Sequence, residues 1–323
     1  METTVIARRK GGPEVLEVVQ TPTPAPGPGE VLVRHRAMGL NFIDCYFRSG
    51  LYPWPAEVLV PGGDAAGVVE ALGEGVTGFR VGDRVAYVMR TGAYCTARAV
   101  PAERLVPVPD GVSDEVAASV MLKGLTTHYL LHSSFPVQAG QTALVHAAAG
   151  GVGLLMGQWL RILGARAIGT AGGPDKCALA RQHGFDTVID YSAGDFVPQV
   201  MAATDGRGVE VVYDSVGRDT WRGSLKCLKK RGMFVCFGQS SGVMDEFRFS
   251  DLAAGSFSAN RPTLFDYIAD RGELLARAEA MFAHIGAGRL RVRIDQRFAL
   301  TDAASAHRAL EGRATTGATV LIP

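Results

Sequence analysis

The sequence predicts an α/β protein of two domains, in which a β-rich domain is interrupted by one built on a doubly wound parallel sheet. Three observations carry this. The 323 residues exceed the reach of one hydrophobic core. Up to about residue 110, apolar and polar residues alternate as they do in half-buried strands. After Gln141, short apolar strands alternate with amphipathic helices, the pattern of a parallel sheet covered on both faces.

The elements follow in order. "EVLVRHRAM" alternates, "DAAGVVEALG" reads as a strand, and "VGDRVAYV" sets a Gly-Asp turn before another. The four prolines of "TPTPAPGPGE" (21–30) mark a loop between strands. From Ser113, "SDEVAASVMLKGLTTHYLLHSS" is helical, with Ser113 as N-cap and acids in the first turn. Strand "ALVHA" then leads to helix "GGVGLLMGQWLRILG", and strand "RAIGTA" to helix "DKCALARQHG". "TVIDY", a helix near "GDFVPQVMAAT", "VEVVYDSVG" and "GMFVCFG" complete the repeat. Near Arg261 the pattern ends. "ELLARAEAMFAHIGAG" is amphipathic, with Leu274, Ala278, Met281, Phe282 and Ile285 on a face suited to core packing. "TDAASAHRALEG" is a helix with Thr301 as N-cap and Gly312 as its stop, and "ATVLIP" is a strand. The tail resembles the front, so the middle domain is expected to be an insertion.

Bulk properties exclude several classes. Lys and Arg (33) offset Asp and Glu (32), leaving a net charge of +1, which gives no support for a nucleic-acid or membrane-surface partner. No apolar run is long enough to span a bilayer, and "METTVIARRKGG" has no apolar signal core. The five cysteines are odd in number and none has CxxC spacing, which fits a reducing cytoplasm rather than a disulfide framework.

"VHAAAGGVGLLMGQW" (145–159) is a glycine turn between a strand and a helix, at the start of the βα repeat. On a G-x-G-x-x-G template the positions are Ala148, Gly150 and Gly153, with Gly151 in addition. A side chain at Gly150 would obstruct a pyrophosphate, Gly153 allows close packing of helix on strand, and the helix N-terminus supplies N–H donors. Alanine at 148 is tolerable if its φ is negative. An enzyme for NAD carries an acid about 20 residues on, at the second strand's end. Here that place holds Ala171, Gly172 and Gly173, with Asp175 one step later and Lys176 beside it. A small strand end plus a lysine suits a 2′-phosphate, and Tyr191 could add a hydroxyl, so NADPH is the expected cofactor.

"NFIDCYFRSGLYP" (41–53), "KGLT" (123–126), "HAAAGGVG" (146–153), "VVYDSVGRDTW" (211–221) and "RATTGATVLIP" (313–323) together carry a family likeness. Over essentially its whole length the chain resembles the zinc-free medium-chain dehydrogenases/reductases, the zeta-crystallin-like quinone oxidoreductases among them, and most of all the bacterial NADPH:quinone reductases. The resemblance implies a GroES-like catalytic domain over 1–122 and 264–323, with a Rossmann NADPH-binding domain over 123–263. Zinc-dependent relatives have a cysteine where Asn41 stands and a His-Glu pair where Gly63 and Asp64 stand, so no metal is expected. Cys45 is displaced from the ligand position and reads as a buried small residue. His128 and His132, four apart on a helix, lack a third ligand nearby in sequence and read as surface or packed histidines.

The resemblance also implies cofactor contacts. Phe42, Ile43, Asp44 and Tyr46 match the segment lining the nicotinamide cleft. Tyr129, Gly151, Val152, Lys176, Tyr191, Ser215, Phe237, Gly238, Gln239, Ser240, Pro262, Thr263, Leu264 and Arg313 match family cofactor positions, and Arg261 is a further cationic candidate. The implied chemistry is hydride transfer to a quinone, or alternatively to an enone, in a cleft at the carboxyl ends of the parallel strands. Tyr46, Tyr52 and Asn41 are the candidates to meet charge developing on the acceptor. A cytoplasmic homodimer joined near "GSFSANRP", through the edge of the nucleotide-domain sheet, is also implied.

Two features fit other classes. "GQSSG" (238–242) fits a nucleophile elbow with Ser240, and Asp266 and His284 follow in the right order, but "VMDEFRFSDL" starts no convincing helix. Lys226, Lys229, Lys230 and Arg231 could form an RNA-binding patch on a non-catalytic protein, though a solvated helix end accounts for them better.

Overall fold

A computed structural model describes residues 1–323. In chain order the elements are β1 (Glu2–Ala7), β2 (Leu16–Thr21), β3 (Glu30–Leu40), α1 (Phe42–Ser49), β4 (Asp64–Leu72), β5 (Arg84–Val88), β6 (Ala97–Pro101), β7 (Val106–Pro107) and α2 (Asp114–Tyr129). Next come β8 (Thr142–Val145), α3 (Gly151–Ile162), β9 (Arg166–Ala171), α4 (Pro174–Gln182), β10 (Thr187–Asp190), α5 (Phe196–Ala203), β11 (Val209–Asp214), α6 (Trp221–Cys227), β12 (Leu228–Cys236) and β13 (Ser258–Asn260). The chain closes with α7 (Leu264–Tyr267), α8 (Arg271–Gly286), β14 (Ile294–Ala299), α9 (Ala303–Glu311) and β15 (Ala318–Ile322).

The chain forms two compact units. The first holds Met1–Leu125, Tyr267–Gly288 and Val292–Pro323, and the second holds Thr126–Asp266 and Arg289–Arg291. The passage into the second unit falls inside α2, whose start is capped by the Ser113 hydroxyl accepting Val116 N–H at 3.2 Å.

The first unit is built on a seven-stranded sheet in the order β14-β15-β3-β4-β5-β7, with β6 also paired to β3. Only β14 and β15 run parallel. Its core includes Val31, Val33, Met38, Leu40, Tyr87 and Tyr94 from the sheet side and Leu300, Ala303 and Ala306 from the tail. The proline-rich segment is the loop between β2 and β3, as expected. At α9 the expected cap is corrected. Thr301 lies in a short 3₁₀ turn, and Asp302 holds the N-cap position without a side-chain bond. Gly312 does close that helix.

The second unit is a six-stranded, wholly parallel sheet in the order β10-β9-β8-β11-β12-β13. The order reverses between β8 and β11, which makes that point the topological switch of a doubly wound fold. Its core gathers Leu144, Ile168, Ile189, Val212, Trp221 and Phe234. One basic cluster lies differently from expectation. Lys226 is in the last turn of α6, but Lys229, Lys230 and Arg231 lie in β12, where Lys229 pairs with Glu210 at 2.6 Å.

Candidate active site

In the second unit the glycine loop leaves β8 at the switch point and enters α3. Gly150 is the N-cap of α3 and makes no side-chain cap, so the N–H groups of the first turn have no protein side chain on them there. Gly153 is demanded by packing. A Cβ there would lie 2.4 Å from Ala147 O and 2.7 Å from Ala148 Cα. The left-handed backbone of the turn falls on Ala147 (φ 55°), and Ala148 lies outside that region, which satisfies the condition for alanine at the first template position. The Ala148 methyl is buried and fills the space over Gly169 of β9, where a Cβ would come within 2.7 Å of it.

Beyond β9 the structure brings Gly172 against Tyr191, since a Cβ at 172 would lie 2.9 Å from the Tyr191 hydroxyl. Gly173 (φ 90°) is the N-cap of α4, and Lys176 is half-buried in that helix's first turn. Sequence reasoning missed Asp190, at the end of β10. Its Oδ1 accepts N–H bonds from Gly173 and Ser192 and the Ser192 hydroxyl, which hold its carboxyl below the usual range. The Ser215 carbonyl receives the Ser240 N–H at 3.1 Å, and a Cβ at Gly238 would lie 2.7 Å from it, so the 215 and 237–240 loops are adjacent. No helix opens after Ser240. The backbone turns until the 3₁₀ segment Phe249–Ala254, so the elbow geometry of a serine hydrolase is absent there. Tyr129, Pro262 and Leu264 are buried, Thr263 is half-buried and Arg261 is exposed. His128 and His132 stack at 4.6 Å, each edge-on to Trp159.

In the first unit, α1 sets out the other predicted residues. Asn41 caps it, and Asp44 Oδ2 accepts the Asn41 N–H at 2.8 Å. Phe42, Ile43, Tyr46 and Tyr52 are half-buried, whereas Arg313 is exposed. The Tyr46 and Tyr52 rings meet edge-on at 5.3 Å, and Tyr52 N–H bonds to Tyr46 O at 3.0 Å.

Behind them lies a buried polar cluster that the sequence did not reveal. Asn41 Nδ2 donates to Asp64 Oδ1 at 2.7 Å, and Asn41 Oδ1 accepts from Lys123 Nζ at 2.7 Å. Lys123 also donates to Leu40 O, and Asp64 Oδ2 accepts the Leu122 N–H. The asparagine amide thus bridges an acid and an amine. Burial pushes Asp64 up and Lys123 down, and the charge of each opposes the other's shift. These bonds commit the Asn41 carbonyl to Lys123 and one of its amide hydrogens to Asp64. A second chain starts at Asp44. The Tyr94 hydroxyl donates to its Oδ2 at 3.3 Å and meets His307 Nε2 at 3.1 Å. Arg48 donates to His307 Nδ1 at 2.8 Å and pairs with Glu311. Burial, reinforced by Asp64, pushes Asp44 up to about 8, while its Oδ1 is buried with no hydrogen-bond partner. Cys45 lies in the same cluster, and burial raises its thiol, so it is inert.

Comparison with known proteins gives a consistent result. Residues 27–110 match the alcohol dehydrogenase GroES-like domain family, and residues 151–278 match the zinc-binding dehydrogenase family. A quinone oxidoreductase of Pseudomonas aeruginosa is 50% identical over 97% of each chain. A 2-haloacrylate reductase of a Burkholderia species is 42% identical, over 100% of this chain and 99% of its own. The crystal structure of Escherichia coli quinone oxidoreductase complexed with NADPH superposes with a TM-score of 0.97 at 42% identity, covering 99% of this chain and 100% of that one. The donors here do not fit the zinc of the second family description. Gly63 offers no side chain, the Asn41 amide is bound as described, and no group of three His, Cys, Asp or Glu is placed to hold a metal.

Proposed function

Since this chain belongs to the quinone oxidoreductase family of the medium-chain dehydrogenases/reductases, we propose that it reduces quinones with NADPH and without a metal. The observation that carries the reading is the loop Ala147–Gly153, which opens α3 at the switch point with no side chain capping the first turn. Gly150, Gly151 and Val152 would hold the pyrophosphate. Gly172, Gly173, Lys176 and Tyr191 would hold the adenosine phosphate, because β9 ends in Ala171 rather than in an acid. Ser215, Phe237–Ser240, Arg261–Leu264, Tyr129 and Arg313 complete the proposed contacts, with Phe42–Asp44 and Tyr46 toward the nicotinamide.

When bound, NADPH supplies a hydride. The chain's own task is to orient the acceptor and to meet the charge that forms on its oxygen. Tyr46 and Tyr52 are the donors proposed for this. Asn41, held by Asp64 and Lys123, is a rigid support for the start of α1. Neutral Asp44 would hold a proton at the carboxyl beside Asn41 rather than present a charge. A homodimer is proposed through β13, which forms an edge of the parallel sheet.

A turnover assay tests the reading, with NADPH or NADH and a benzoquinone, a naphthoquinone or an α,β-unsaturated ketone. NADPH with a quinone should be preferred, and equal rates with NADH would refute the role of Lys176. The 2-haloacrylate reductase likeness supports the second reading, an enone reductase, which activity on the ketone alone would establish. Tyr46→Phe and Tyr52→Phe should each lower kcat partially, roughly tenfold or less, since a quinol is a stable product. Unchanged turnover in both variants would remove the tyrosines from the mechanism.

A further inference from the structure

The residues proposed to hold the dinucleotide include loops that follow β8, β9, β11 and β12, and one imidazole joins the ends of three of these strands. We propose that His146 is a positioning residue for the dinucleotide, fixing the loops after β8, β9 and β11 relative to one another before the cofactor arrives. The proposal rests on the NADPH reading above.

His146 is the first residue beyond β8, the strand flanked in the sheet by β9 and β11. Its side chain bonds to β9 directly and to the end of β11 through a serine of α6. Nδ1 lies 2.8 Å from the Thr170 hydroxyl on β9, and Nε2 lies 2.9 Å from the Ser224 hydroxyl on α6. Ser224 is 3.0 Å from Asp214 Oδ2 at the end of β11. Asp214 passes the constraint on. Its Oδ1 accepts the N–H groups of Val216 and Gly217, which shape the turn after Ser215. Its backbone carbonyl accepts the Phe237 N–H beyond β12 at 2.9 Å.

The Ser224 hydroxyl ties the direction of these bonds to its own donor. With the Ser224 hydroxyl donating to Asp214 Oδ2 or to Thr220 O, each 3.0 Å away, its oxygen accepts from His146 Nε2–H. Nδ1 then accepts from Thr170. The imidazole is neutral in this arrangement, and burial lowers its pKa accordingly. His146, Ser224 and Asp214 resemble a hydrolytic triad in type but not in order. The serine stands between histidine and carboxylate, and all three are buried, so no nucleophile is presented. The work left for them is geometric. Gly150 and Gly151 follow His146 by four and five residues, and Gly172 follows Thr170 by two, so these bonds set the backbone that leads into the proposed phosphate contacts.

The test compares wild type, His146→Phe, His146→Gln and Thr170→Val. NADPH dissociation constants come from nucleotide fluorescence, melting temperatures from circular dichroism, and KM and kcat from quinone turnover. His146→Phe should raise Kd and KM for NADPH at least tenfold, lower kcat by a smaller factor, and leave KM for the quinone unchanged. His146→Gln keeps a donor and an acceptor at similar reach and should restore Kd to within threefold of wild type. Thr170→Val, which removes one bond of the chain, should give an intermediate Kd. If His146→Phe does not fold, the Gln and Val variants decide the matter. A lowered melting temperature with Kd within twofold of wild type in every folded variant would overturn the proposal. A wild-type chain that binds no NADPH would overturn both this proposal and the functional reading.

Discussion

Replacing Lys123 by methionine tests whether the buried bridge beneath the candidate active site is an ion pair separated by an amide. The side chain is 7% exposed and donates to Leu40 O and Asn41 Oδ1, with Asp64 on the far side of the same amide. Methionine fills much of the volume but leaves a carboxylate in the core without its cation, a loss of about 3–5 kcal/mol. Two buried carbonyl acceptors also lose a donor, which is part of the same figure rather than an addition to it. For a unit of roughly 180 residues, the scale of about 2–4 °C per kcal/mol converts this to a melting-temperature drop of roughly 6–20 °C. Calorimetry on Lys123→Met, Asp64→Asn and the double variant separates the charge pair from generic damage. If the pair interacts through Asn41, the double variant should lose at least about 1 kcal/mol less than the sum of the singles. Additivity within about 0.5 kcal/mol would refute the coupling, and a loss below about 1 kcal/mol in Lys123→Met would refute the bridge itself.

Three further outcomes follow from the packing and the buried charges. Gly153→Ala places a Cβ against backbone at 2.4 Å, so α3 must move; a loss of about 1–3 kcal/mol and at least a tenfold weaker NADPH affinity are expected. Melting and fluorescence titration would show it, and a variant matching wild type in both would disprove the close packing. Acid should destabilise the fold through His35 and His307, which burial lowers to about 4 and about 3. Below pH 6.5 the unfolded chain binds protons that the folded one refuses, so their stability contribution is lost as pH falls through the folded values. Asp44 has the opposite sign in the window between its unfolded value of 3.8 and about 8. There it is stabilising only while protonated, and its contribution fades as pH rises. Asp44→Asn should therefore steepen the acid-side slope of stability between pH 4 and 6 in denaturant titrations, and an unchanged slope would contradict the raised Asp44.

The doubly wound unit was legible because its signal is local. A strand, a glycine turn and a helix are contiguous, and each repeat restates the pattern. The seven-stranded sheet was legible only strand by strand. Its order depends on pairings such as β15 with β3, which no local period encodes. The buried clusters were invisible for the same reason. Asn41, Asp64 and Lys123 come from three segments, and His307 meets Tyr94 from 213 residues away. "KGLT" stood out as a family segment, but nothing in it says that its lysine points at an asparagine. His146 adjoins the glycine loop, yet a reading of loop glycines stops two residues short of it. The Thr301 cap failed by one residue, because a 3₁₀ turn carries the chain as far as Asp302 before the α-helix begins.

The pairing of β15 with β3 also has a consequence in time. The second unit is almost contiguous in sequence and can close while the chain is still being made. The first cannot. The Met38–Leu40 end of β3 is synthesised by residue 40, but its partner β15 is complete only at residue 322. At about 5–20 residues per second this edge waits on the order of 15–60 s for its neighbour. Until then one side of Met38–Leu40 has no strand beside it, although β4 and β6 already pair the rest of β3, so the first unit, rather than the nucleotide fold, sets the window in which a nascent chain is open to misassembly.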